Sequence, residues 1–398
     1  MKTKPIGLVL LILAPSILLR ALAMDISLPC VPAIAQYYQA DFSTSQWVLS
    51  LFFVGAGVGQ LIIGPLADEY GRRPVLLIST ILLAITSVLC AMAPSLNILI
   101  LLRLIQGISA GGTTDVTMAI IRDLYDNKHM PKVYSYLNSI VGLAPLLAPL
   151  IGGLLLTYGN SWQLGFYFVA GFSLIAFIIN YVLAHETNPR LSATKNFVAI
   201  DIIRGYKQIL LDKQFLIYTF CAIAAFSCLF MFFSNSAILM IEILGVSPTI
   251  FGYYFALNSV SYIIGNLFSP MLQSRVGGNG TILYGSLIIV IGAACMFGID
   301  FLHGLTIFGI VLPNLISTFG IGLIFGPCMA GVMQHYKHIA GMASAAYGAL
   351  LYGSSSLLVA AIMQYEVIDT KLMAMTMIVM GLASIIAIRR LAQPHRSL

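Results

Sequence analysis

Charged residues are scarce in this chain. Lys and Arg number 20 and Asp and Glu number 14, which together make 9% of 398 residues, whereas soluble proteins carry roughly 25%. This deficit excludes a soluble enzyme. Apolar residues make up 59% of the chain. Twelve spanning helices of about 20 residues would occupy roughly 240 positions, so length and composition both fit a helical protein that crosses a membrane many times.

Cysteine is rare and unpatterned. The six Cys show no paired spacing and most lie in apolar runs, so neither a disulfide framework nor a thiolate metal site is predicted. The six His lie in loops or tails between these runs. No G-x-x-x-x-G-K-[ST] sequence occurs, and a nucleotide is therefore not required. We predict no metal and no cofactor.

One pattern resembles a catalytic motif. Gly107-Ile-Ser109-Ala-Gly111 fits the G-x-S-x-G nucleophile pattern, which acts on a strand-to-helix turn. Here it falls inside an apolar helical run, and small residues at 107, 111 and 112 favour the close approach of two helices. The sequence therefore predicts that the chain is not an enzyme.

Hydrophobic runs of spanning length divide the chain into two groups of six. The first group extends from Pro5 to Ala184 and the second from Phe215 to Ile388. The runs are continuously apolar and lack the alternation of barrel strands, so helices are expected. We predict an all-α membrane protein with twelve transmembrane helices in two pseudo-symmetric bundles, residues 1–184 and 215–398, joined by a polar linker at 185–214.

The distribution of basic residues predicts the orientation. If the linker is cytoplasmic, seventeen of the 20 Lys and Arg lie on its side, Lys371 lies on the other side, and Arg20 and Arg103 lie within spans. This asymmetry places both termini in the cytoplasm. The scattered cations form no patch that would bind nucleic acid. A cleavable signal at the N-terminus is an alternative reading, but loss of the first span would reverse the charge asymmetry.

Four charged residues lie within the predicted spans, where a charge is costly and usually faces a partner or a wet cavity. They are Arg20, Asp25, Arg103 and Asp115. Asp25 is either an interfacial residue in contact with water or a functional carboxylate. Arg20 has three alternatives: it snorkels, pairs with Asp25 or pairs with Asp115. Asp115 is either a cavity residue or a hydrated residue near the cytoplasmic end.

Arg103 begins a helical face that carries polar or small side chains. Gln106, Ala110, Thr114 and Thr117 fall on roughly the same side of the fourth span. A guanidinium at this depth must meet a carboxylate, carbonyl groups or water. We predict that this face lines a cavity, with a purely structural bond between helices as the alternative.

Five short motifs in the first half of the chain carry a family resemblance. They are the loop from Gly64 to Arg73, Arg103-Leu-Ile-Gln106-Gly107 in the fourth span, Ala119-Ile-Ile-Arg122-Asp123 at its end, Asp25-Ile-Ser-Leu-Pro29-Cys-Val-Pro32 at the end of the first span and Ala148-Pro149-Leu-Ile-Gly152-Gly153 in the fifth span. With these motifs the chain resembles the major facilitator superfamily, and within it the twelve-span drug/proton antiporters of the Bcr/CflA type. The motif at the end of the fourth span resembles the ending typical of that group, and the motif of the fifth span matches the antiporter motif, with Ala148 in place of the usual Gly.

The resemblance implies a role for each motif. Asp25 becomes the candidate proton site and Arg103 a residue coupled to it, while Arg20, Gln106 and Asp115 are cavity candidates. The resemblance also implies a cytoplasmic gate and an antiporter motif. The gate comprises Gly64, Asp68, Gly71, Arg72, Arg73, Arg122 and Asp123, and the antiporter motif comprises Pro149, Gly152 and Gly153.

The resemblance implies a proton-coupled exporter of small amphipathic compounds in a bacterial inner membrane, acting as a monomer by alternating access. A dedicated exporter or importer of one metabolite, such as a siderophore or nutrient, is the alternative, and a receptor on the same fold is another. The family commonly has apolar residues at positions 20 and 115. If Arg20 and Arg103 both face the cavity, two cations oppose two acids, and we expect tolerance of neutral, zwitterionic or anionic cargo.

Overall fold

A computed structural model describes residues 6–125, 130–188, 199–334, 336, 340–364 and 369–392. Within these ranges the chain is helical and contains no strand. The helices are α1 (Ile6–Asp25), α2 (Val31–Tyr37), α3 (Phe42–Ser45), α4 (Trp47–Tyr70), α5 (Arg72–Ala91), α6 (Leu96–Leu124), α7 (Met130–Gly159), α8 (Gln163–Leu183), α9 (Ala199–Leu210), α10 (Lys213–Ala237), α11 (Pro248–His303), α12 (Ile307–Met333), α13 (Ala340–Met363) and α14 (Thr370–Ala392).

Eleven helical segments of the described residues are long and apolar enough to cross a membrane. One of them, α11, has 56 residues and would be about 84 Å long if straight, nearly three times the hydrocarbon thickness. Gly277 interrupts it with φ 75° and ψ 171°, values that are not helical. This break divides α11 into two crossings, so the predicted twelve transmembrane helices are confirmed.

Several helices extend beyond the predicted apolar runs. We expected the fourth span to end at Met118, but α6 continues to Leu124 and includes Arg122 and Asp123. Charged side chains do not stop backbone hydrogen bonding once a helix leaves the apolar layer. The linker also contains helix α9, which places an apolar face inward with Ile209 fully buried. Residues 189–198 of the linker lie outside the described residues.

Glycine allows α4 and α6 to pack with their backbones in contact. A Cβ atom at Gly107 would overlap the carbonyl oxygen of Phe52, and one at Gly59 would overlap that of Ile108. Ser109 donates to the carbonyl oxygen of Ile105 within α6 (3.0 Å) and lies on no strand-to-helix turn. The prediction of close helix packing at position 107 is therefore confirmed.

The two halves of the chain meet through two main helix pairs. Near the middle of α4, a Cβ atom at Gly57 would lie 3.0 Å from the carbonyl oxygen of Ala349 in α13. On the other side, Ser259 of α11 donates to the carbonyl oxygen of Pro145 in α7 (2.9 Å). Side chains that lie between these helix pairs are consequently removed from lipid.

Candidate functional site

Arg103 is enclosed by the first half of the chain. Its side chain is fully buried, and its guanidinium lies 4.3 Å from the ring centre of Phe52. The Nε atom donates to the carbonyl oxygen of Val48 (2.9 Å), and Nη1 donates to that of Ala23 (2.9 Å). Backbone carbonyls of two other helices therefore hold this charge.

Side chains complete the enclosure. Arg103 donates to Gln106 Oε1 (2.6 Å) and to Ser27 Oγ (3.1 Å). Gln106 in turn donates to Ser87 Oγ (2.7 Å) and is itself fully buried. Both residues thus connect helices of the first half. The expectation that two cations oppose two acids in the cavity required Arg20 and Arg103 both to face it. Because Arg103 is enclosed, only Arg20 remains near the acids.

Asp25 is the last residue of α1 and is buried, with 5% of its surface exposed. The bonds from Arg103 to Ala23 and Ser27 place this turn at the depth of Arg103. Arg20 is its electrostatic partner. The structure therefore favours the reading of Asp25 as a carboxylate inside the bundle over that of a residue at the water interface.

Arg20 lies near Asp25, Asp115 and the second half of the chain. It interacts electrostatically with Asp115 and with Asp25. Its guanidinium lies 4.7 Å from the ring centre of Tyr352 in α13. Gln60 of α4 lies beside Asp115. Since Arg20 interacts electrostatically with both acids, pairing with Asp25 and pairing with Asp115 both remain predictions.

Aromatic rings from both halves pack beside this charged group. Phe53 of α4 contacts Phe226 (5.3 Å between ring centres) and Phe230 (5.1 Å) of α10, and it stacks on Tyr352 (5.6 Å). Tyr253 of α11, by contrast, is largely exposed on the protein surface. Phe53 escaped the sequence analysis because nothing in its own apolar run distinguishes it from its neighbours.

The loop between α4 and α5 forms a compact charge cluster. Arg72 is buried and forms an ion pair with Asp68. It also pairs with Asp123 at the end of α6, with 3.1 Å between Nε and Oδ2. Gly71 turns the chain with φ 104°, a value that favours glycine. This cluster defines what we term the Arg72 end of the bundle.

Other predicted gate residues have different surroundings. Arg73 donates to the carbonyl oxygen of Tyr181 in α8 (2.8 Å). Arg122 is exposed, and a Cβ atom at Gly341 of α13 would lie 3.7 Å from its Nη1. A Cβ atom at Gly64 would meet nothing within 4 Å, so packing in this conformation does not account for that glycine.

Glu186 was missed by the sequence analysis and caps α5. Its carboxylate accepts from the backbone N–H groups of Arg72 (2.9 Å) and Arg73 (3.1 Å) at the first turn of the helix. Burial disfavours its charged form, but backbone N–H groups of Asn188, Arg72, Arg73 and Thr187 outweigh this effect and hold the pKa below its usual value. A carboxylate near a helix N-terminus is also favoured by the helix dipole.

Replacing Glu186 by Gln is expected to loosen the start of α5. The amide cannot accept with the strength of a carboxylate, so hydrogen exchange at Arg72 and Arg73 should rise in the variant at neutral pH. Because the folded pKa of Glu186 is lowered, its contribution is present above the usual carboxyl range and lost as pH falls through the folded pKa. The difference between variant and wild type should therefore vanish in acid. Equal exchange at neutral pH would contradict this role.

The antiporter motif lies at two helix contacts. A Cβ atom at Gly152 would overlap the carbonyl oxygen of Ile26, which follows Asp25. A Cβ atom at Gly153 would overlap the carbonyl oxygen of Pro248 at the start of α11. Pro149 lies inside α7, and its carbonyl oxygen would be 3.1 Å from a Cβ atom at Gly252. The motif therefore touches both the proton-site helix and the second half.

Polar contacts join the two halves at the end opposite Arg72. Gln36 donates to both carboxylate oxygens of Glu242 (3.0 Å each). Gln46 donates to the carbonyl oxygen of Ser234. Glu242 lies in a π-helical turn, Ile238–Ile243, that ends α10, and such turns often mark functional positions in helices. This end of the bundle is closed in the structure.

A cavity of about 860 Å³ lies away from the acids. It opens among α10, α11 and α12 near the Gly277 break, and its lining includes Tyr218, Gln273 and Asn279. Tyr218 donates to Asn279 Oδ1 across it (2.8 Å). The lining contains no charged residue, so this cavity does not contain the predicted proton or cavity residues.

The family model described as the Major Facilitator Superfamily matches residues 13–360. The chain belongs to this superfamily. It is therefore a multi-pass membrane transporter, and the prediction that it is not an enzyme is confirmed by the family.

Curated relatives narrow the resemblance. The chain is 28% identical to a bicyclomycin resistance protein homolog of Haemophilus influenzae, covering 84% of this chain and 83% of that protein. It is 28% identical to a chloramphenicol resistance protein of Pseudomonas aeruginosa (88% and 83% covered). It is 29% identical to the multidrug resistance protein MdtL of Escherichia fergusonii (85% and 84%). The predicted Bcr/CflA-type membership of this major facilitator protein is confirmed.

Solved structures support the fold. The partially occluded, inward-open xylose transporter XylE of E. coli superposes with a TM-score of 0.75 at 15% identity, over 99% of both chains. A mutant of the nucleoside transporter NupG gives a TM-score of 0.77 at 14% identity, over 98% of this chain and 99% of that one. The predicted major facilitator fold is confirmed.

Proposed function

We propose that this transporter is a proton-coupled exporter of small amphipathic compounds in a bacterial inner membrane. It acts as a monomer by alternating access between its halves, residues 1–184 and 215–398. The observation that carries the proposal is Asp25, a carboxylate buried within the bundle beside Arg20. A buried acid can exchange a proton when the surrounding water and charges change.

The orientation follows from the positive-inside rule. The Arg72 end and the linker are then cytoplasmic, as are both termini, and the end closed by Gln36 and Glu242 faces outward. The cluster of Asp68, Arg72 and Asp123 would stabilise one orientation of the halves, which is the role expected of a cytoplasmic gate. Substrate binding and proton binding favour different orientations, and this difference in affinity is what couples them.

The charge balance indicates the substrate class. With Arg103 enclosed, one guanidinium faces two carboxylates, Asp25 and Asp115. Phe53, Phe226 and Tyr352 provide apolar and aromatic surface beside them. This combination favours cationic, zwitterionic and neutral amphipathic compounds over anions. A dedicated carrier of one metabolite would transport one compound of a chemically diverse panel.

Transport in reconstituted vesicles under an imposed pH gradient tests the proposal. Ethidium, chloramphenicol and a zwitterionic fluoroquinolone serve as probes for the three charge classes. Wild type is expected to move at least the cation against its gradient, and Asp25→Asn is expected to fall to the level of empty vesicles. Asp300→Asn is the matched control, because Asp300 is a buried acid that pairs with Lys371 in the second half (3.7 Å).

Two results would contradict the proposal. Wild-type vesicles that ignore the pH gradient for every probe would exclude proton-coupled export of amphipathic compounds. Asp25→Asn vesicles with undiminished gradient-driven transport would place the proton site at another residue.

A further inference from the structure

Asp115 is an intramembrane acid to which the mechanism above assigns no part in proton transfer. It lies twelve residues after Arg103 in α6, which corresponds to about 18 Å along the helix axis. Because Arg103 bonds to Ala23 and Ser27, its depth is also that of Asp25. Asp115 therefore lies about 18 Å nearer the Arg72 end than Asp25 does.

Arg20 lies between these two depths. It precedes Asp25 by five residues in α1, or about 7.5 Å along the axis toward the Arg72 end. Its side chain interacts electrostatically with both acids. A single guanidinium thus links two carboxylates at different depths of the membrane.

Other helices supply polar groups around this link. Tyr352 of α13 contacts the Arg20 guanidinium, and Tyr262 of α11 interacts with it electrostatically. Gln60 of α4 reaches Asp115. Tyr206 of the linker helix α9 interacts with Asp115, and its hydroxyl donates to the carbonyl oxygen of Leu61 (3.4 Å). Arg20 is therefore in contact with the half that moves relative to α1.

We propose that Asp115 is a second proton-exchange residue, which releases to the cytoplasm the proton that enters at Asp25. This inference rests on the proposed proton-coupled function. One guanidinium balances only one ionised carboxylate in a dry bundle. The proposed cycle starts from a state in which Arg20 balances Asp115 and the proton resides on Asp25.

The exchange conserves charge at each step. When Arg20 shifts toward Asp25, the Asp25 carboxyl group gives its proton to water that enters between the opened halves, and the Asp115 carboxylate accepts a proton from that water. Asp115 then releases it to the cytoplasm, and the group of three residues carries one net negative charge. A cationic or polar group of the cargo binds beside the ionised Asp25 carboxylate in this state. After the cargo leaves on the outer side, Asp25 accepts a new proton and Arg20 returns to Asp115.

Asp115→Asn tests the proposal in vesicles with ethidium as the probe. Gradient-driven ethidium transport is expected to be lost, because no proton can leave on the cytoplasmic side. Exchange of labelled for unlabelled ethidium at equal pH on both sides is expected to persist, since exchange requires no net proton movement. Asp300→Asn serves again as the control, with both activities retained.

The outcomes separate this inference from the proposed function. Wild-type vesicles without gradient-driven transport would contradict the proposed function itself. Gradient-driven transport that persists in Asp115→Asn would overturn only the inference. Loss of both activities in a stable, monodisperse Asp115→Asn protein would also overturn it, because Asp115 would then be needed for cargo rather than for proton release.

A second variant addresses a failure of Asp115→Asn to fold. Asp115→Glu retains a carboxylate one methylene group longer, and it is expected to change the dependence of transport on cytoplasmic pH. Its dependence on outer pH should equal that of wild type. Vesicles of one orientation, with pH varied on one side at a time, provide the measurement. A change on the outer side, or on neither side, would overturn the inference.

Discussion

Gly153→Val is expected to prevent closure of the outer end of the transporter and to abolish transport. In the closed end, a Cβ atom at Gly153 would overlap the carbonyl oxygen of Pro248. Pro248 starts α11 and belongs to the other half of the chain. Backbone atoms of two packed helices cannot yield to a branched side chain without separating. The variant should therefore populate the open outer end.

Accessibility of a buried position can report this change. Ser234 is buried at the closed end, and its carbonyl oxygen accepts from Gln46 of the first half. With the exposed Cys295 replaced by Ser, a Ser234→Cys protein should react slowly with an impermeant maleimide in cells. Adding Gly153→Val is expected to increase this reaction strongly and to abolish both gradient-driven transport and exchange.

Gly152→Val is the matched comparison. Its added side chain would overlap the carbonyl oxygen of Ile26 within the first half, so it should lower the yield of folded protein rather than shift the balance of conformations. Unchanged labelling of Ser234→Cys on addition of Gly153→Val, in a correctly folded protein, would contradict the assignment of Gly153 to the contact between halves.

The membrane topology was predictable because its cause is local. Runs of apolar residues must form helices in a bilayer, and the predicted span at Ala340–Met363 has the bounds of α13 itself. Helix ends were less predictable. Met118 ends an apolar run, but α6 continues for six further residues, because the backbone hydrogen bonds that define a helix do not depend on apolar side chains.

The surroundings of the predicted residues were harder to foresee. Arg103 was recognisable as a charge needing partners, but two of its partners are the carbonyl oxygens of Val48 and Ala23. Backbone groups exist at every position and leave no signal in the sequence. Glu186 caps α5 although it lies more than a hundred residues away in the sequence. The polar stretch that contains it follows a span and resembles any connecting loop.

Arg20 was visible in the sequence as a charge within a span, but its contacts were not. Its two candidate partners, Asp25 and Asp115, could be named from the sequence alone. Only the packing of α1 against α6 and α13 shows that it interacts with both acids and with Tyr352. Such contacts between halves depend on the relative placement of the two bundles, which hydrophobic patterns do not specify.

Arg103→Ala is expected to be the most destabilising single substitution among the variants proposed. It removes a fully buried side chain that bonds to Val48, Ala23, Gln106 and Ser27. Truncation of a large buried side chain costs about 3–5 kcal/mol, and partners left without a hydrogen bond add about 1–3 kcal/mol each. The yield of monodisperse protein and its thermal unfolding temperature in detergent should both fall sharply.

Arg103→Lys separates a structural role from the predicted coupling to Asp25. Lysine keeps the charge but lacks the planar fork that reaches carbonyl oxygens on two helices, so a structural role predicts an intermediate unfolding temperature with proportionate transport. A coupling role predicts a wild-type unfolding temperature with exchange retained and gradient-driven transport lost. Arg389→Ala, an exposed Arg in the last turn of α14, should match wild type. An Arg103→Ala protein as stable as this control would contradict the structural role, because the bonds to four partners would then contribute nothing to folding.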